Sequence, residues 1–255
     1  MMPERIDINC DMGESFGAYT LGRDSEVMAY ISSANIACGW HAGDPMVMEQ
    51  TVRLAKEKGV AVGAHPGYPD LMGFGRRRMD LTPAEIENYL LYQLGALYAF
   101  ARAHGLPLQH VKAHGALGNV AFVDLEVSKT IARTAARFGK EIIFVALAGT
   151  VMVQAAKEAG VRFVEEAYAD RVYNPDGTLQ SRKIAGSVIQ DPEKAARQAL
   201  TLVQEGYVIA HDGTKVMVKP ETLCVHGDTP GAIAILQKIR EELRKASIAV
   251  KPMGQ

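Results

Sequence analysis

Short apolar runs alternate with longer amphipathic stretches along the whole of the 255-residue chain. The runs that read as strands are residues 5–10, 33–38, 60–65, 110–114, 141–147, 162–168 and 222–226. Helical patterns with clear punctuation lie between most of them. PMVMEQTVRLAKEK, residues 45–58, stops at Gly59, in the left-handed position that glycine favours. A second helix opens at Thr82-Pro83-Ala84-Glu85 and ends at Gly105. There Thr82 can cap, Pro83 suits the first helical position and Glu85 completes a capping box. Further patterns cover 125–138, 151–158, 191–206 and 230–245. Strands separated by helices pair in parallel, because a parallel neighbour is reached only by a crossover. Seven such units in one domain, residues 1–255, fit an open doubly wound sheet or a closed barrel. Two stretches break the rhythm. One is 170–186, with the turn Asn174-Pro175-Asp176-Gly177; the other is 207–219, where Asp212-Gly213 between alternating arms predicts a β-hairpin.

Composition removes several function classes. The formal net charge is −1, so no basic excess points to nucleic acid or to an anionic membrane. No apolar run approaches the roughly 18 residues of a membrane span. A strand begins within a few residues of Met1, which leaves no room for a signal peptide, and a cytoplasmic protein is expected. The three cysteines, Cys10, Cys38 and Cys224, are far apart and lack C-x-x-C spacing, which argues against a disulfide framework or a thiolate zinc site. Cys38 and Cys224 read as small buried residues rather than nucleophiles. Neither a phosphate-binding G-x-x-x-x-G-K-[ST] loop nor a G-x-S-x-G elbow is present.

The polar residues are more informative. In IDINCDMGE, residues 6–14, Asp7, Asn9 and Asp11 alternate with Ile6, Ile8 and Cys10. In an enclosed barrel the three polar side chains would point into the lumen. VGAHP, VKAHG and CVHGD put His65, His114 and His226 at strand ends, and ACGWHAGD puts His41 just past another. Parallel α/β folds build their sites at that edge. Residues two apart on a strand share a face, so His110, Lys112 and His114 point together, as do Thr222, Cys224 and His226. Ala113 is expected to face away from them. Burying such groups costs several kcal/mol each unless they are partnered, so a polar pocket at the barrel mouth is the economical account. The connecting loops add Glu14, Asp44, Arg76, Glu166, Asp170, Arg171 and Asp228. GFGRRR, residues 73–78, offers backbone N–H groups beside guanidinium groups, suited to a carboxylate or a phosphate. His110 and His114 cannot share an ion, because four strand residues span roughly 13 Å. No residue is assigned to a metal; a divalent ion would have to be assembled across strands, for instance by Asp11, His65, His114 and His226.

At these residues the chain resembles the LamB/YcsF family, the A subunits of bacterial ATP-dependent 5-oxoprolinase. The motifs are DINCDMGESFG (7–17), NIACGWHAGDP (35–45), GAHPGYPD (63–70), GFGRR (73–77), VKAHGALGN (111–119), EAYADR (166–171) and CVHGD (224–228). Three positions depart from the usual pattern: Ala113 stands for proline, Gly118 for tyrosine and Trp40 for phenylalanine. Loss of the tyrosine removes an aromatic wall. The resemblance implies a (β/α)7 TIM-like barrel of the glycoside hydrolase/deacetylase type. It implies ring opening of 5-oxo-L-proline to L-glutamate with ATP consumed, alongside subunits B and C. The missing phosphate loop fits phosphoryl chemistry carried by the partners.

On that reading the catalytic set is Asp11, Glu14, His65, Lys112, His114 and His226. Asp11, Glu14, His65 or His114 would act as base. Lys112 and Arg76 would hold the substrate carboxylate or the oxyanion, and His226 with Asp228 would protonate the departing nitrogen. Asn9, His41, Asp44, Arg76, Glu166, Asp170, Arg171 and Asp228 are the expected substrate-binding residues. Two alternatives stay open: a metal-dependent amide or N-acetyl-sugar deacetylase, and a non-catalytic module of the complex.

Overall fold

The computed structural model describes residues 3–227 and 231–254. In chain order the elements are β1 (Arg5–Met12), α1 (Asp24–Val27), β2 (Ser33–Ala37), α2 (Pro45–Lys58), β3 (Ala61–His65), α3 (Pro83–Ala103), β4 (Leu108–Val111), α4 (Gly115–Ala121) and α5 (Leu125–Phe138). They continue with β5 (Ile143–Leu147), α6 (Val151–Ala159), β6 (Arg162–Tyr168), α7 (Pro192–Leu200), β7 (Tyr207–Ile209), β8 (Lys215–Met217), β9 (Thr222–Cys224), α8 (Ala232–Lys245) and β10 (Ala249–Val250). A π turn, Thr201–Glu205, extends α7. The helix expected to open at Thr82 does so for the expected reason. Asp44, Thr82, Asp124, Thr150 and Asp191 each accept backbone N–H groups at a helix start, and the capping box at Thr82 and Glu85 is complete.

Parallel pairing runs β1-β2-β3-β4-β5-β6-β9 and closes through β1–β9. This is a seven-stranded barrel, not an open sheet. β7 and β8 pair antiparallel with each other, apart from the barrel. Closure explains why β1 is buried on both faces. Ile6, Ile8, Cys10 and Met12 pack in the main core, while Asp7 and Asn9 are buried opposite them. The register aligns Asn9 with Ser33 and Cys224, Asp11 with Asn35, and Asn35 with Gly63, so the polar positions of neighbouring strands lie level. A second, small apolar cluster of Ile143, Val145, Val164 and Met253 lies apart from the main core. β10 adds to the edge of β1 and carries Met253 to that cluster.

Three elements escaped the sequence pattern: α1, α4 and β10. β4 and β9 are also shorter than expected, ending at Val111 and Cys224. His114 and His226 therefore stand in the connections after their strands, and His114 takes the N-cap position of α4.

Candidate active site

From the floor of the barrel to its mouth the lumen carries one hydrogen-bonded polar stack. Asp7 accepts from Ser32 and Ser33 Oγ, each at 2.7 Å, and from Thr222. Above it, Asn9 Nδ2 donates to Thr222 Oγ1 at 2.7 Å and to Glu166 Oε1 at 2.9 Å. Asn35 Nδ2 donates to Asn9 Oδ1 and Asp11 Oδ1, and its Oδ1 accepts from His110 Nε2 at 2.8 Å. Lys112 Nζ stands among Glu166 Oε1 (2.9 Å), Cys224 Sγ (3.0 Å), Asn9 Oδ1 (3.1 Å) and Asp11 Oδ1 (3.3 Å). Burial alone would push the lysine down, but Asp11, Cys224 and Glu166 outweigh it and hold its pKa well above the usual range. Burial likewise pushes Asp11 up, and the neighbouring His65 and Lys112 overcome it, so that carboxyl sits well below the usual range. This lysine is a buried cation bracing a layer of acceptors.

The mouth holds a tight histidine group. His65 Nε2 is 3.2 Å from Asp11 Oδ2 and 3.0 Å from His114 Nδ1. Glu14 Oε1 lies 3.7 Å from His114 Nδ1 and 3.8 Å from His41 Nε2. The His41 and His114 rings stack at 3.7 Å and 6°. Burial drives His114 down to about 3 and His41 well below its ordinary range, so both rings are neutral. Glycines make this packing possible. A Cβ on Gly67 would come within 2.9 Å of His41 Nδ1, and one on Gly75, at φ +62°, within 2.7 Å of His41 Cβ.

The GFGRRR expectation is corrected by the loop's own hydrogen bonds. Its backbone N–H groups do not face a ligand. Those of Gly73 and Arg77 are taken by the Asp70 carboxylate, that of Gly75 by the Asp70 carbonyl, and those of Phe74 and Arg76 by Leu71 and Gly73. Arg77 pairs with Asp70. Arg76 alone of the triplet borders the central cavity, its guanidinium 4.8 Å over the Phe74 ring.

That cavity has a volume of about 720 Å³. Asp11, His65, Arg76, Lys112, His114, Tyr168, Arg171 and His226 border it, and the insertion contributes a wall from Asn174 to Lys183. His226 Nδ1 lies 3.0 Å from Asp170, whose carboxylate also accepts the His226 backbone N–H. Burial raises the Asp170 carboxyl, but His226 outweighs it and the net shift is downward. Among the described residues the partner of His226 is Asp170; Asp228, expected beside it, lies outside them. Asn9 and Glu166 sit in the layer below, His41 behind His114, and Glu14 beside both imidazoles. Arg171 is turned into its own loop, donating to the carbonyls of Ser187 and Gln180. Asp44 stands apart: Oδ1 caps α2 and Oδ2 accepts from Gly17 N–H at 2.7 Å.

Tyr168 was missed from sequence. Its ring stacks on His226 at 5.4 Å and lies 5.2 Å from Lys112 Nζ. Its parity with Glu166 on β6 was the available signal. Asn35, which shares a face with Ser33, was missed because 33–38 read as an apolar run.

A model of the LamB/YcsF family matches residues 6–255. The chain belongs to the LamB/YcsF family. The 5-oxoprolinase A subunit of Pyrococcus furiosus is 53% identical over 250 residues, 98% of each chain. That of Thermococcus onnurineus is 54% identical over 251 residues, again 98% of each. The crystal structure of a lactam utilization protein from Thermus thermophilus is 49% identical, covers 97% of this chain and 99% of its own, and superposes with a TM-score of 0.92.

Two departures of this LamB/YcsF chain prove to be one. A Cβ on Gly118 would lie 2.8 Å from the Ala113 carbonyl oxygen, so a larger residue at 118 requires the backbone at 113 to move. Ala113 packs against the main core. Both residues border the cavity, because the chain has left strand geometry after Val111. Trp40 packs edge-on against Tyr89 at 4.6 Å and beside Tyr92 on α3, away from the lumen. Among the described residues no helix is long and apolar enough to cross a membrane.

Proposed function

We propose that this chain is the ring-opening component of an ATP-dependent 5-oxoprolinase, converting 5-oxo-L-proline to L-glutamate with partner subunits B and C. The carrying observation is the end-to-end identity of about half its residues with proteins named as the 5-oxoprolinase A subunit. The cavity supports it chemically. A lactam carbonyl resists water because nitrogen feeds electrons into it; phosphorylation of its oxygen removes that resistance. The N–H groups of 73–77 are already committed within their own loop and offer no cradle to the phosphates of ATP. Phosphoryl transfer is therefore assigned to the partners, and no step on this chain runs through the nucleotide.

The water attacks beside the cluster of Asp11, Glu14, His65 and His114, which accepts its proton. Arg76 on the cavity wall holds the substrate carboxylate. Lys112, committed to Asp11 and Glu166, fixes those acceptors and lends positive charge to the layer below. His226, oriented by Asp170, delivers a proton to the departing ring nitrogen; C–N cleavage leaves an acyl phosphate, which a second water cleaves to glutamate and inorganic phosphate.

An ATP-dependent glutamate-release assay tests this. Glutamate should form only when this chain, B and C are all present, and His226→Ala should lower the rate at least about 100-fold. An unchanged rate with this chain omitted would refute the assignment. A second reading, a metal-assisted amide hydrolase needing no ATP, is favoured by the donor cluster at the mouth. Acetate release from an N-acetyl sugar by this chain alone would select it.

A further inference from the structure

We infer that Asp11, Glu14, His65 and His114 form a binding site for one divalent transition-metal ion of the Zn²⁺, Co²⁺ or Mn²⁺ class. One donor atom from each lies within 4.8 Å of all the others. Four ligands arranged tetrahedrally at 2.0–2.2 Å from an ion stand roughly 3.4 Å apart. The separations here are 3.0 Å from His65 to His114, 3.2 Å from His65 to Asp11 and 3.7 Å from His114 to Glu14. These three bracket that value, and the remaining pairs lie within 4.8 Å. The set differs from the one expected from sequence: Glu14 stands in the group and His226 does not.

The tautomers make the stronger argument. His65 Nδ1 lies 2.8 Å from the Lys112 carbonyl, and His114 Nε2 lies 2.8 Å from the Phe74 carbonyl. A carbonyl only accepts, so both outward nitrogens carry hydrogen. When both rings are neutral, the inward nitrogens, His65 Nε2 and His114 Nδ1, present lone pairs to each other at 3.0 Å, and His65 Nε2 presents its own to Asp11 Oδ2 at 3.2 Å. Two lone pairs at that distance repel unless a proton or a cation lies between them. Outward N–H groups tied to backbone carbonyls are the arrangement that orients metal-ligating histidines. Phe74 presents its carbonyl from a φ of +54°, one of two non-glycine residues at positive φ among those described.

His41 supplies an independent observation. It is fully buried, and among the described residues neither of its ring nitrogens has a hydrogen-bond partner. Native interiors rarely leave such groups unsatisfied. Its Nε2 faces Glu14 Oε1 at 3.8 Å and its ring backs His114, so the unsatisfied imidazole lies against two members of the set. An ion held there would supply Lewis-acid polarisation of a carbonyl or acidification of water. Two imidazoles and two carboxylates suit borderline ions better than Mg²⁺ or Ca²⁺.

The test is a titration of chelator-stripped protein with Zn²⁺, Co²⁺ and Mn²⁺ by calorimetry, with elemental analysis after gel filtration. At least one of these ions should bind at one per chain with a Kd below about 1 µM, about −8 kcal/mol. Asp11→Asn and His114→Phe should weaken binding at least tenfold, the phenylalanine preserving the stack on His41. His226→Ala should bind as tightly as the parent. Circular dichroism and Tm report whether each variant is folded, and Glu14→Gln replaces any that is not. Absence of a stoichiometric ion for all three metals, or undiminished affinity in folded Asp11 and His114 variants, would overturn the inference. The titration uses neither lactam nor ATP, so its failure leaves the ring-opening reading standing.

Discussion

Two residues deep in the lumen show how a polar barrel interior constrains its neighbours. His110, paired with Gly63 on the neighbouring strand, lays its imidazole over that glycine, where an added Cβ would come within 2.1 Å of the ring. Gly63→Ala should therefore cost about 3 kcal/mol through overpacking, and little when placed on His110→Ala. A double-mutant cycle by urea unfolding reads the difference, and additive losses would show that the ring is not the obstacle. Asp7 carries a second consequence. Burial raises its carboxyl from the ordinary 3.8 to about 6, against the pull of the Thr222, Ser33 and Ser32 hydroxyls. The folded chain then binds a proton that the unfolded chain releases, so this group's contribution to stability falls as pH rises from about 4 to 6. The rise amounts to about 3 kcal/mol. Subtracting the pH profile of Asp7→Asn from that of the parent should isolate a decline of this size in that window. Parallel profiles would show that Asp7 is ionised alike in both states.

The loop from β3 to α3 does more for the site than any helix. Asp70 gathers it, accepting from Gly73, from the Arg77 backbone and from the Arg77 guanidinium. That clasp places Arg76 on the cavity wall and the Phe74 carbonyl against His114 Nε2. Asp70→Ala should lower kcat/KM about tenfold, equivalent to about 1.4 kcal/mol, mostly through KM. Steady-state kinetics at unchanged Tm checks this, and wild-type kinetics would mean that the loop holds itself. The sequence showed a glycine- and arginine-rich stretch here. It did not show that Asp70, three residues before Gly73, would take up the N–H groups that a ligand was expected to meet.

The barrel as a whole is a polar column with an apolar plug at one side of its base. Met253 is buried on Ile143, Val145 and Val164, and its carbonyl accepts from Gln109 Nε2 at 3.0 Å. Met253→Ala should cost about 3 kcal/mol and, by admitting water near Asp7, shrink the pH-dependent decline that the buried carboxyl causes. Denaturation of the variant at pH 4 and pH 7 measures both, and a loss equal at both pH values would separate the plug from Asp7. Much of this architecture was legible in the residues. Period-two alternation in 6–11 marked a strand with a polar face, glycine stops and the Thr82 capping box bounded helices, and histidines at strand ends marked the mouth. These features are local, set by backbone geometry within a few positions, and so the chain alone determined them. Closure of the sheet, the register that sets Asn9 beside Ser33 and Asp11 beside Asn35, the choice of Asp170 for His226, and the meeting of Glu14 with His65 and His114 were decided only in three dimensions. Each depends on which strands become neighbours and where each strand ends. A shift of one residue in register would have turned the same side chains to the opposite face.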